Sequence, residues 1–93
     1  MTNMDSSREL VEILTKRYLD SKGSIEMVFN WNHQFTPGKQ RPDITLFRGM
    51  YRLKFAVEEE SIYFSYYEVG TWIICSKPID LNKVNTICDL YDF

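Results

Sequence analysis

The residues able to do covalent chemistry are few, and their spacing gives them little to act with. His33 is the single histidine, placed in Trp31-Asn32-His33-Gln34 at the end of an apolar alternation. A histidine there serves as a general base only with a nucleophile in hydrogen-bond reach, and no cysteine or glycine-flanked serine stands nearby in the chain. Cys75 and Cys88 belong to different predicted elements and lack the spacing of a zinc ligand pair. Two cysteines make no disulfide framework, so reduced thiols and a cytoplasmic setting are expected. The scattered glycines form no phosphate cradle. Glu58-Glu59-Glu60 could ligate a cation, as could Asp89 and Asp92, but such runs ordinarily just face water. The expectation is a chain that is not an enzyme and holds neither cofactor nor metal.

The surplus lies in rings. Aromatic residues make up 15% of the 93 positions, from six Phe, six Tyr and two Trp. One small core seldom absorbs so many. They either stiffen a sheet through cross-strand pairs or supply contact area on a surface. Hydrophobic residues at 44% and charged residues at 26% describe an ordinary globular domain and exclude a disordered acidic tail or a collagen-like chain. The balance of 11 basic against 13 acidic residues, with pI ≈ 5.3, argues against a general nucleic-acid binder, which needs positive charge to release phosphate counterions. No apolar run approaches the roughly 18 residues of a membrane span, and Asp5, Arg8 and Glu9 interrupt any secretory apolar segment. A single domain over residues 1–93, with no membrane partner, is expected.

Periodicity supplies the elements that must position these rings. Ser6 and Glu9 have capping-box spacing, and Leu10, Val11, Leu14 and Tyr18 recur on one helical face, which predicts a helix over 7–21 with Gly23 just beyond it. Glu12 and Lys16 have the spacing of an ion pair on its other side. From Ser24 the period becomes two, and Ile25, Met27, Phe29 and Trp31 alternate with Glu26, Val28 and Asn30 as a half-buried strand. Pro37-Gly38 reads as a type II turn, residues 43–48 as a strand, and Gly49 as a bulge or bend. Tyr51, Leu53, Phe55 and Val57 alternate up to the glutamate run, and Ile62 to Val69 forms the next strand. Gly70-Thr71 fits a type II′ hairpin turn leading to a last strand from Trp72 to Cys75, which Pro78 stops. Asp80 can cap a closing helix whose apolar face is Leu81, Val84, Ile87, Cys88 and Tyr91, with Ile79 as the outer half of a hydrophobic staple. The fold class is α+β: an N-terminal helix, an antiparallel meander of four to five strands and a C-terminal helix.

Hairpin register assigns faces. Pairing Val57 with Ile62 sets Phe55 against Phe64 and Leu53 against Tyr66 on the core face. The opposite face then pairs Ala56 with Tyr63, Lys54 with Ser65 and Arg52 with Tyr67, and the second turn adds Val69 against Trp72 and Tyr67 against Ile74. Arg52, Lys54, Tyr63, Tyr67, Trp72 and Ile74 should therefore share one side. That side is either covered by a helix or by the loop at 33–42, or it is an exposed aromatic-basic surface with both helices on the first face.

Gln34, the run Arg41-Pro42-Asp43-Ile44-Thr45-Leu46-Phe47, Gly49 and the apolar stretch to Glu58 resemble the PD-(D/E)xK nuclease core, closest to the segment in the motor subunits of type I restriction enzymes. The resemblance covers about a quarter of the chain. It implies that Asp43 and Glu58 would be the Mg2+-binding carboxylates. The lysine it expects at position 60 is Glu60, which implies a degenerate nuclease at most.

Acidic, cofactor-free α+β domains of this size commonly act by binding another macromolecule, a class analogy and not a motif. The expected function is a non-enzymatic protein-binding inhibitor or immunity-type protein, such as a phage anti-defence protein (an anti-CRISPR, for example) or an antitoxin. Its one protein partner would dock on Tyr63, Tyr67 and Trp72, with Arg52 and Lys54 as charge partners. The acidic tip of Glu58, Glu59 and Glu60 is a second contact, able to imitate nucleic-acid phosphate toward a basic groove. Alternatives are single-stranded nucleic acid on the same face and a homodimer through it.

Overall fold

The computed structural model describes residues 3–32, 41–58, 61–74 and 77–93. His33, Gln34, Pro37-Gly38, Glu59, Glu60 and Cys75 lie outside the described residues. Helix α1 (Asn3–Asp20) is followed by strands β1 (Glu26–Asn32), β2 (Arg41–Arg48), β3 (Tyr51–Glu58), β4 (Ser61–Glu68) and β5 (Thr71–Ile74), then by a 3-10 turn (Leu81–Lys83) that runs into helix α2 (Val84–Leu90). The strands form one sheet in the order β1-β2-β3-β4-β5, every neighbouring pair antiparallel. The α+β meander expected from periodicity is the fold, with five strands.

Both helices lie on one face of the sheet. Leu10 and Leu14 of α1 and Val84, Ile87 and Cys88 of α2 are buried in one cluster with Ile44, Leu46, Leu53, Phe55, Val57, Ile62 and Tyr66. Several details differ from the sequence reading. The helix begins at Asn3, so Ser6 stands inside it and not at its boundary. Tyr18, expected on the buried stripe, is exposed. Arg17 takes the position facing α2, its Nε 3.3 Å from Phe93 O and its two terminal nitrogens 3.1 Å from Asn85 Oδ1 and 2.8 Å from Asp89 Oδ1. Lys16 pairs with Asp20 at 3.1 Å in place of Glu12. The left-handed turn after α1 starts at Lys22 (φ 54) and continues through Gly23 (φ 92). Asp80 has the extended backbone of a cap but makes no capping bond with its side chain. Ile79 packs on the core and donates its N–H to Ile62 O at 2.8 Å.

A column of rings closes the core beside β5. Tyr66 stacks on Tyr91 at 4.2 Å and on Tyr51 at 6.4 Å. Burial, and then its hydrogen bond to Glu68, push the Tyr66 phenol above its ordinary value. The Arg48 guanidinium lies 5.0 Å from the Tyr51 ring and 5.2 Å from the Phe93 ring and bonds Tyr91 O at 3.3 Å, tying the segment after α2 to the sheet.

Two short turns set the register. Gly49-Met50 joins Arg48 to its partner Tyr51, so the expected bulge is a two-residue hairpin turn, with Gly49 supplying φ +62 at its first position. The second turn is Val69-Gly70 and not Gly70-Thr71, because Glu68 faces Thr71. Both of its central residues have positive φ, 50 and 77, the type I′ pattern. A β-branched residue is costly in that region. Val69 is 85% exposed and owes nothing to packing, so Val69→Asn is expected to stabilise the domain by about 1 kcal/mol. Urea unfolding of the two proteins checks this, and an unchanged or lower midpoint would refute the strain.

Candidate binding face

The face opposite the helices is built from cross-strand rows. Glu26 on β1 faces Phe47 on β2, Phe47 faces Arg52 on β3, Arg52 faces Tyr67 on β4, and Tyr67 faces Trp72 on β5. The next row is Val28, Thr45, Lys54, Ser65 and Ile74. Asn30, Asp43, Ala56 and Tyr63 make the third. The β3–β4 register is the one expected from the sequence. In the β4–β5 hairpin each partner is displaced by two positions, so Tyr67 meets Trp72 where Ile74 was expected. A shift of two returns every side chain to the same side, and the face assignment survives the wrong turn.

The cations of the first two rows are held by rings of the first. The Arg52 guanidinium lies 5.3 Å from the Phe47 ring centre and 4.9 Å from that of Tyr67. Tyr67 and Trp72 are 5.1 Å apart and tilted by 56°. Lys54 reaches diagonally so that its Nζ is 5.0 Å from the Trp72 ring. Each such contact contributes about 0.5–1 kcal/mol at an exposed site. Its larger effect is to fix long side chains in place before anything binds. Among the described residues neither Arg52 nor Lys54 has a carboxylate partner.

The proposed residues therefore separate. Arg52, Lys54, Tyr67 and Trp72 form one cluster, and Tyr63 lies two rows along β4 from Tyr67. Glu58 is at the far end of β3 from Arg52, roughly 20 Å away by strand rise. It does not belong to the cluster. Phe47 was missed in the sequence because Gly49 was read as a bulge, and a two-residue turn there would have put Phe47 opposite Arg52. Among the described residues no helix or strand lies over this face. No protein-family model, curated protein or solved structure matches this chain.

Other chemistry finds less support in the geometry. Asp43 and Glu58 point to the same side from adjacent strands, Asp43 opposite Ala56. Among the described residues no three His, Cys, Asp or Glu side chains come together as a metal site. No helix of the described residues is long and apolar enough to cross a membrane.

Cys88 is a free thiol with no exposed surface. Burial pushes it up to about 11, the Arg17 charge offsetting part of that rise and the Asp89 charge adding a smaller push of its own. The unfolded chain then loses this proton at lower pH than the folded one, so folding stability is intact below about pH 9 and falls as pH rises toward 11. Cys88→Ala is expected to flatten that fall, by roughly 2 kcal/mol over the window. Denaturant titrations at pH 8 and pH 10.5 measure it, and parallel losses in both proteins would contradict the burial argument.

Proposed function

We propose that this chain is a non-enzymatic protein-binding inhibitor or immunity-type protein, docking one protein partner on the open sheet face. The observation that carries the reading is the cluster of Phe47, Arg52, Lys54, Tyr67 and Trp72, where two cations are pre-ordered by rings and, among the described residues, have no carboxylate partner. Arg and Trp set in rigid apolar surroundings are the usual composition of interface hot spots. The partner it fits carries carboxylates beside an apolar patch, and an inhibitor of this kind acts by occluding the surface it covers.

The same cluster argues against single-stranded nucleic acid. Base stacking needs free ring faces. Here the Tyr67 ring is approached by Arg52 and Trp72, and the Trp72 ring by Lys54 and Tyr67. The inhibitor class itself rests on size and composition, by analogy.

The test is capture from a host-cell lysate by the wild type and by an Arg52→Glu, Trp72→Ala variant first shown to be folded. A single protein bound in stoichiometric amount by the wild type and lost by the variant is the expected result. Equal capture by both, or retention of single-stranded DNA or RNA with steep salt dependence, would overturn it.

A further inference from the structure

The two most exposed large apolar side chains among the described residues are Val69, at 85%, and Met50, at 79%. Both stand in two-residue hairpin turns, where Asn, Asp and Gly are the usual occupants. In an antiparallel meander the β2–β3 and β4–β5 turns lie at the same end of the sheet. They close on the pairs Arg48–Tyr51 and Glu68–Thr71, one position beyond the row of Phe47, Arg52, Tyr67 and Trp72. That row is the border of the open face nearest to both tips. β1, β2, β3 and β4 meet undescribed residues only at the opposite end, at Asn32, Arg41, Glu58 and Ser61.

Strand spacing sets the tips about 10 Å apart, and strand rise sets each roughly 7 Å from the row. Val69 holds a left-handed conformation, φ 50, that costs a β-branched residue stability and returns no packing. Strain of that kind gathers at positions used for contact with something outside the fold. Met50 brings a flexible thioether that adapts its shape to an apolar partner. The carboxylate beside Val69, Glu68, is already bonded to Tyr66. On the open side the nearest cations are Arg52 and Lys54, which have no carboxylate partner among the described residues.

We propose that the two tips and the row form one site for an amphipathic helix of the partner, an inference that rests on the partner-binding reading above. Two turns of helix advance about 10.8 Å, which matches the separation of the tips. Two apolar residues seven apart rest on Met50 and Val69. Carboxylates on the flank turned toward the open face meet Arg52 and Lys54. An extended partner strand finds no ladder to join at this end, because both hairpins turn back on themselves.

The probe is a lactam-stapled helical peptide with two leucines seven apart and glutamates along one flank. Its addition to isotope-labelled protein is expected to shift the backbone amides of Met50, Val69 and Arg52. Val69→Asn and Met50→Ser should each weaken the peptide roughly tenfold. Val69→Asn should do so while raising the urea midpoint, a combination that a purely structural role for Val69 does not produce. Glutamine in place of the peptide's glutamates should weaken it as well. No shift at the two turns, or equal binding by the wild type and both tip variants, would overturn the proposal. So would co-sedimentation with phosphatidylserine vesicles, abolished by Val69→Asn, in place of peptide binding. The underlying reading fails separately. If Arg52→Glu, Trp72→Ala loses the captured partner and both tip variants keep it, the tips leave the site and the reading stands. If the double variant keeps the partner, the reading itself falls.

Discussion

Phe55→Ala is expected to lower the unfolding free energy by about 3–5 kcal/mol and the melting temperature by more than about 12 °C. Phe55 has no exposed surface and sits mid-strand, facing Ile44 on β2 and Phe64 on β4. Its ring is 6.4 Å from that of Phe64, tilted by 40°. The helices close over it through Leu10, Leu14 and Val84, all fully buried. Strands on both sides are hydrogen-bonded in place, so the cavity left by the ring cannot collapse. The domain's whole stability should be only about 5–15 kcal/mol, so this one change takes a large share of it. Phe55→Leu, which leaves a smaller void, should cost markedly less. Chemical unfolding followed by circular dichroism provides the measurement. A loss below about 1 kcal/mol for Phe55→Ala would mean that this position is not the centre of the core.

The second large effect falls on the other face and on a different quantity. Trp72→Ala is expected to weaken the partner complex by about 2–4 kcal/mol, roughly 30-fold to 1,000-fold, while changing stability by less than about 1 kcal/mol. Trp72 is 37% exposed on the edge strand, so removing it empties no core. It does release two neighbours: the Lys54 ammonium loses the ring beneath it and Tyr67 loses its tilted partner. Arg52→Lys should also weaken the complex, since an ammonium keeps the charge but not the planar fork held between Phe47 and Tyr67. Calorimetric titration of the captured partner, beside thermal melts of the free proteins, separates the two quantities. Unchanged affinity in folded Trp72→Ala would remove the binding site from this row.

Together these substitutions test a division of labour among the rings. Phe55, Phe64, Tyr66 and Tyr91 spend their area on packing beneath the helices. Phe47, Tyr67 and Trp72 lie across the sheet from them and hold cations. Both uses rely on cross-strand pairing, so composition alone could not tell them apart. The strand positions could, once the register was known. In β4, Tyr66 and Tyr67 are adjacent in the chain and serve opposite faces.

By itself the sequence determined the order of elements and the β3–β4 pairing. Strict alternation in Tyr51–Glu58 and the rings of Ser61–Glu68 leave one register that buries Leu53, Phe55, Val57 and Ile62 together. It also placed Arg52, Lys54, Tyr67 and Trp72 on a common side, because the error in the second turn amounted to a shift of two. That error has a physical cause: Val69 occupies a left-handed position that sequence preferences assign to Gly, Asn or Asp, so Gly70-Thr71 seemed the better turn. Only the tertiary structure decided that both helices pack on the same face, since periodicity shows which side of a helix is apolar and not which side of a sheet receives it. It alone brought Phe47 beside Arg52, through a turn read as a bulge, and turned Arg17 into a link between the two helices. These contacts join residues remote in the chain, and their geometry exists only after the sheet and helices have closed on one another.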